Sequence, residues 1–93
     1  MDINGKKLIK GYGVYVADKS IWMEEAHVDM VGAYMYESQA LEKIQEYYDT
    51  FNYNPLRYNI EYNPKGKCLS ITSIEHPTKE YTNLYIEEVG LIV

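Results

Sequence analysis

The chain has 93 residues with 14 acidic and 9 basic side chains, a formal charge of −5. That is enough for one domain, residues 1–93, with a thin core, and its charge balance opposes a nucleic-acid backbone. A single cysteine, Cys68, excludes an internal disulfide and a cysteine metal framework, so packing must hold the fold and a reducing cytoplasm is the expected compartment.

Met1 to Lys7 lacks the basic region, apolar stretch and small-residue cleavage site of a secretory leader. No apolar run approaches the roughly twenty residues that span a bilayer, so no membrane partner is expected. Leu8 to Ala17, rich in Val, Tyr and Ile, reads as a strand, with Gly11 and Gly13 on one face where a neighbour can approach closely. Asp18-Lys19-Ser20 ends it, and Ile21 to Ala26 reads as a loop. His27 to Tyr36 is almost continuously apolar after Asp29, the pattern of a central strand covered on both faces.

Ser38 is the expected cap of a helix that aligns Ala40, Leu41, Ile44, Tyr47, Tyr48 and Phe51 in one stripe. Glu42, Lys43, Gln45, Glu46 and Asp49 fall on the other side. Asn52 to Pro55 breaks the helix. Arg57 to Asn63 alternates, with Tyr58, Ile60 and Tyr62 on one face, and a turn at Asn63-Pro64-Lys65-Gly66 leads into a strand from Cys68 to Ile74. After the polar stretch Glu75 to Glu80, Tyr81 to Val93 returns to strand character. Its apolar positions change phase between Ile86 and Val89, which predicts a bulge at Glu87-Glu88.

The resulting order, β-β-α-β-β-β, defines an α+β fold: a two-layer domain with an antiparallel sheet of about five strands and one helix on one face. The opposite sheet face is left uncovered, and a partner, a second copy or a ligand is expected there.

Catalytic and metal chemistry find little to work with. Glu24, Glu25, His27 and Asp29 form an acid-base cluster, and the i, i+2 spacing of His27 and Asp29 puts both on one strand face, but two ligands do not complete a metal shell. His76 precedes Pro77 in a turn, where a solvated imidazole is usual. Cys68 has no histidine partner in the pattern, and Gly11-Tyr12-Gly13 lacks the third glycine of a dinucleotide loop. No catalytic residue, metal or cofactor is expected, and the chain reads as non-enzymatic.

The tyrosines carry the remaining signal. There are 11, against one Phe and one Trp, and such rings suit surfaces that are half dry and half wet. Tyr47, Tyr48, Tyr58 and Tyr62 have packing positions; Tyr12, Tyr15, Tyr34, Tyr36, Tyr53, Tyr81 and Tyr85 exceed what one thin core can seat. Trp22-Met23 followed by Glu24-Glu25 has the form of an apolar anchor beside an acidic rim, although a lone Trp also suits a core. The expected partner surface therefore joins Trp22, Met23, Glu24 and Glu25 with Tyr12, Tyr34, Tyr36 and Tyr85. The alternative is a dimeric module in which tyrosines stack on a nucleotide-like ligand, with Lys6, Lys7, Lys10 or Arg57 at its phosphates; Lys10, Tyr15 and Arg57 are its first candidates.

Abundant Lys, Asn, Ile and Tyr beside scarce Ala, Arg and Pro point to an AT-rich genome. The segment from Val31 to Ile44, Val-Gly-Ala-Tyr-Met-Tyr-Glu-Ser-Gln-Ala-Leu-Glu-Lys-Ile, followed by Leu84-Tyr85-Ile86-Glu87-Glu88-Val89, resembles small phage and prophage accessory proteins of low-GC bacteria. The resemblance covers about a third of the chain and brings no catalytic residue. It implies an accessory protein that binds host machinery or sequesters a host signal. With the tyrosine excess, the acidic charge and the lack of a catalytic set, the expected role is a phage-encoded inhibitor of a host defence or nucleic-acid-handling protein in the host cytoplasm, and the open sheet face leaves a homodimer as the other expected partner.

Overall fold

Alternating and continuous apolar runs in this chain become strands, and the single 3.6-residue stripe becomes the helix that covers them. The computed structural model describes residues 2, 3, 5–51 and 54–92. The elements are β1 (Asp2–Ile3), β2 (Lys6–Lys19), β3 (His27–Tyr34), α1 (Glu37–Thr50), β4 (Tyr58–Asn63), β5 (Cys68–Ser73) and β6 (Tyr81–Ile92). Five antiparallel strands in the order β3-β2-β6-β5-β4 form the sheet, and the short β1 pairs with the start of β2. Gly5, at φ 77°, adopts the left-handed conformation that closes the tight turn between Ile3 and Lys6.

The strands β3 and β4 occupy opposite edges, so α1 carries the chain across one face of the sheet. The register aligns Val14 with Ile86, Val16 with Leu84, Leu84 with Leu69 and Ile71 with Ile60, so residues from four strands share that face. Ala40 and Ile44 descend from α1 onto Val14, Leu69, Ile71 and Leu84, and among the described residues these six side chains are the buried core. Tyr12, Tyr34, Tyr47, Tyr58 and Tyr62 surround it, half-buried. The Tyr62 hydroxyl donates to Gln45 Oε1 at 2.5 Å, which lets the ring pack while its polar tip stays satisfied.

Several boundaries differ from the sequence reading. The helix is not capped by Ser38, which lies inside its first turn; Tyr36 precedes α1, and its backbone N–H donates to Gln39 Oε1 at 3.1 Å. β3 is an edge strand, not a central one, and Val28 and Met30 on it are exposed. Its unbroken apolar run reflects a bulge: the β2 pairing shifts between Val14 and Tyr15, which face Gly32 and Met30, so Val31 is the extra residue and packs against the core.

The predicted bulge at Glu87-Glu88 is absent, because β2 and β6 pair without interruption from Leu8–Ile92 to Lys19–Tyr81. The phase change has another cause. Leu84 and Ile86 face the helix, whereas Val89 and Leu91 lie on the bare face, where Val89 and Leu91 occupy the space beside Gly13 and Gly11. A Cβ on Gly11 would come within 2.4 Å of Leu91 Cδ1 and 3.0 Å of the Tyr34 carbonyl oxygen, so the first glycine accommodates a close approach. In the β4–β5 hairpin the turn is displaced by one residue: Lys67 N–H donates to the Pro64 carbonyl, and Lys67, not Gly66, takes the positive φ, at 58°.

Candidate functional site

At the end of the sheet where β2 finishes and β6 begins, three connecting segments meet and leave large apolar side chains in water. The first is the turn Ser20–Met23. Met23 N–H donates to the Ser20 carbonyl at 3.1 Å, and the Ser20 N–H is directed at Met23 Sδ at 3.4 Å. This holds Ile21 and Trp22 at the corners of the turn, and Trp22 is 88% exposed. The second segment follows the helix. The Asn54 carbonyl accepts from the N–H groups of Arg57 and Tyr58, and its side-chain Oδ1 accepts from Leu56 N–H at 3.0 Å. Leu56, confined to that turn, is 86% exposed.

The third segment is the β5–β6 connection. Ser73 N–H donates to the Glu80 carbonyl, Ile74 N–H to the Arg57 carbonyl, and His76 N–H to the buried Ser73 Oγ at 3.0 Å. The His76 carbonyl in turn accepts from Lys79 and Glu80. A hollow of about 220 Å³ opens between the segments, lined on its apolar side by Ile21, Leu56 and Ile74 and on its polar side by Arg57, His76 and Glu80. A neighbouring hollow of about 240 Å³ reaches Phe51, Tyr58 and Tyr81. The loops are thus tied by backbone hydrogen bonds, so the patch is preformed and a partner would order little on binding. Glu75 and Glu80 line the hollow together with Arg57 and His76, so its polar side carries both signs of charge, and the exposed Glu24 and Glu25 follow Trp22 in the chain.

Of the expected partner surface, Trp22, Met23, Glu24 and Glu25 belong to this end, and the loop expected from Ile21 to Ala26 is a loop. The tyrosines assigned to the same surface do not join them. Tyr12 and Tyr34 are a cross-strand pair on the helix side, packed against the core. Tyr36 stands exposed at the start of α1, and Tyr85 lies on the bare face, stacked on Tyr15 with ring centroids 5.6 Å apart. Tyr53 lies outside the described residues.

The residues of the ligand alternative are also dispersed. Lys10 pairs with Gly90 near one end of β2, whereas Arg57 adjoins the strand ends aligned with Lys19. Nine residues of strand at about 3.3 Å each put the two cations about 30 Å apart, too far for one ligand's phosphates. Lys10 Nζ instead binds Glu88 Oε1 at 2.7 Å, and Lys67 Nζ binds Glu37 Oε2 at 2.9 Å. Those hydrogen bonds and the adjacent carboxylate charges raise the pKa of each lysine above its usual value. The Lys6 side chain lies outside the described set.

His27 Nε2 and Asp29 Oδ2 are 2.8 Å apart in an exposed pair. Among the described residues no three His, Cys, Asp or Glu side chains gather as a metal shell would require. Cys68 is half-buried, opposite Tyr85 on the bare face. No described helix is long and apolar enough to cross a membrane.

Sequence reasoning missed Leu56, Ile74 and Ile21 as site residues. The available signal was an apolar side chain stranded in turn-forming sequence, as in Asn54-Pro55-Leu56-Arg57, where no strand or helix period gives it a buried position. The fold and this patch define a small α+β domain with one concentrated apolar end. In comparisons with known proteins, no family model matches the chain, and no curated protein or solved structure matches it significantly.

Proposed function

We propose that the chain is a non-enzymatic protein-interaction module, working in the cytoplasm, that docks a partner protein on its loop end. Trp22 and Leu56 are the anchors, with Ile21 and Ile74 beside them and Glu24, Glu25, Glu75 and Glu80 as the polar rim. The observation that carries this reading is the near-complete exposure of Trp22 and Leu56 on turns fixed by hydrogen bonds. Interface energy concentrates on a few large anchors of this kind, Trp above all, surrounded by a polar rim.

The net charge of −5, with Glu24 and Glu25 next to Trp22, suits a partner with a basic surface. Proteins that handle nucleic acids present such surfaces, and the resemblance of Val31 to Ile44 and Leu84 to Val89 to phage accessory proteins makes a host defence or nucleic-acid-handling protein the first partner class to try. Inhibition would follow from occupying that basic surface.

Trp22 is the single tryptophan, so its emission reports docking directly. Titration with candidate effectors is expected to shift that emission to the blue, and Trp22→Ala or Leu56→Ala should weaken the complex by about 30-fold or more, the scale of a hot spot. A complex that leaves the emission unchanged and tolerates both substitutions would remove the loop end as the docking site.

A further inference from the structure

The tyrosines of the bare face take no part in the docking proposed above, and the residues between them carry unused hydrogen-bonding groups. The register sets Ala17, Asn83, Ser70 and Glu61 in one row across four strands, on the side away from α1, because Leu84, Leu69 and Ile60 beside them face the helix. Strands about 4.8 Å apart make this row about 14 Å long. Tyr81 stands on one side of the row and Tyr85 on the other, each two residues from Asn83 along β6, so their backbones are about 13 Å apart. Tyr15 pairs with Tyr85 and stacks on it, with the ring planes 15° apart. Short side chains between tall aromatic ones form a shallow trough across the sheet. Within it, Ser70 Oγ donates to Asn83 Oδ1 at 2.7 Å. Among the described residues, the Asn83 amide N–H groups, the Glu61 carboxylate and the hydroxyls of Tyr15, Tyr81 and Tyr85 have no hydrogen-bond partner in the protein, whereas Tyr62 on the covered face is bound to Gln45.

We propose that this trough binds a neutral saccharide chain. A sugar ring has an apolar C–H face, which packs on tyrosine rings and Ala17, and a rim of hydroxyls that both donate and accept. The trough supplies the counterparts: amide donors on Asn83, a carboxylate acceptor on Glu61, and the hydroxyls of Ser70 and the tyrosines. Its charge selects against the other ligand classes. Glu61 is the single charge in the row, and Lys19, beside Tyr81, turns its Nζ to the Lys79 carbonyl at 3.3 Å. A phosphate backbone would therefore meet a carboxylate and no free cation. A purely apolar ligand would bury the Asn83 amide without a partner, at the cost of an unmade hydrogen bond. A peptide strand finds its main-chain hydrogen bonds at a sheet edge, not on a face. The floor is longer than one sugar ring, so a chain fits it better than a monosaccharide. The trough uses neither Trp22 nor Leu56, and the inference does not rest on the docking reading.

Titration of the isotope-labelled full chain with cellohexaose, maltohexaose and chitohexaose, followed by amide NMR, tests it. At least one of these is expected to shift the Ser70 and Asn83 backbone amides and the Asn83 side-chain amide, saturably at millimolar concentration. An anionic oligogalacturonate should bind at least tenfold more weakly. Tyr85→Ala and Asn83→Ala should each weaken the saccharide complex at least tenfold, since a site built around hydroxyls loses most when a polar partner or its stacking surface is removed. Circular dichroism checks that both variants keep the fold; if either loses it, the map of shifted amides on the unsubstituted chain decides. No saturable shift with any neutral hexasaccharide, shifts centred away from Ser70 and Asn83, or equal binding of the oligogalacturonate would overturn the inference. So would shifts at these residues that follow protein concentration without saccharide, which would assign the face to a second copy.

Discussion

The covered face of the sheet and the loop end hold similar side chains in opposite conditions. Under α1, Val14, Ile44, Leu69 and Leu84 are no more than 1% exposed, whereas at the loop end Trp22 and Leu56 are almost entirely in water. The first group sits where sheet and helix periods coincide, so each side chain gains burial from two layers at once. The second sits on turns whose backbone is satisfied by hydrogen bonds and whose side chains have nothing above them. The buried core and the exposed apolar patch are thereby separated in space, and a change at one region should leave the other nearly untouched.

The largest test of that separation is Leu84→Ala. Leu84 faces Val16 and Leu69 across its two neighbouring strands, and the cavity left beneath α1 should cost about 3 kcal/mol, read as a lower midpoint in urea denaturation. Next is Gly11→Ala, which forces a Cβ against Leu91 and the Tyr34 carbonyl oxygen. Overpacking there should cost about 1–3 kcal/mol in the same assay, on the face without a helix. Trp22→Ala and Leu56→Ala should change stability by less than about 0.5 kcal/mol while weakening partner binding about 30-fold or more. A large loss of stability in either would mean that the loop end contributes to the core and would collapse the contrast.

The smallest effect concerns the surface ion pairs. Lys10 and Lys67 have raised pKa values in the folded state because Glu88 and Glu37 hydrogen-bond them. A raised lysine pKa gives stability that is present below the unfolded-state value and lost as pH rises through the folded-state value. Lys10→Met should therefore flatten the alkaline limb of the stability profile slightly, and both lysines are exposed enough for salt to screen most of the difference.

Much of this architecture was legible in the residues themselves. The stripe Ala40, Ile44 and Tyr47 forms a helix because its period fits no strand, and Tyr58, Ile60 and Tyr62 alternate because one face of β4 is wet. The β-β-α-β-β-β order and the antiparallel sheet follow from those periods and from short connections. The site was half legible. Trp22-Met23-Glu24-Glu25 could be singled out as an anchor and rim, but Tyr12 and Tyr34 could not be told from surface tyrosines, because their burial depends on α1 crossing above β2 and β3.

Local pattern thus determined the helix, the five strands of the main sheet and a thin core, since periodicity and turn chemistry act over a few residues. It did not determine the short β1, which exists only through its pairing with the start of β2. Tertiary structure decided which strand is an edge, which face each apolar residue of β3 and β6 occupies, and which loops meet. Those depend on pairings between distant segments: the shift beside Val31 and the uninterrupted β2–β6 ladder send Val89 and Leu91 to the bare face. The same pairings bring Ile21, Leu56 and Ile74, from three separate connections, to one end of the sheet.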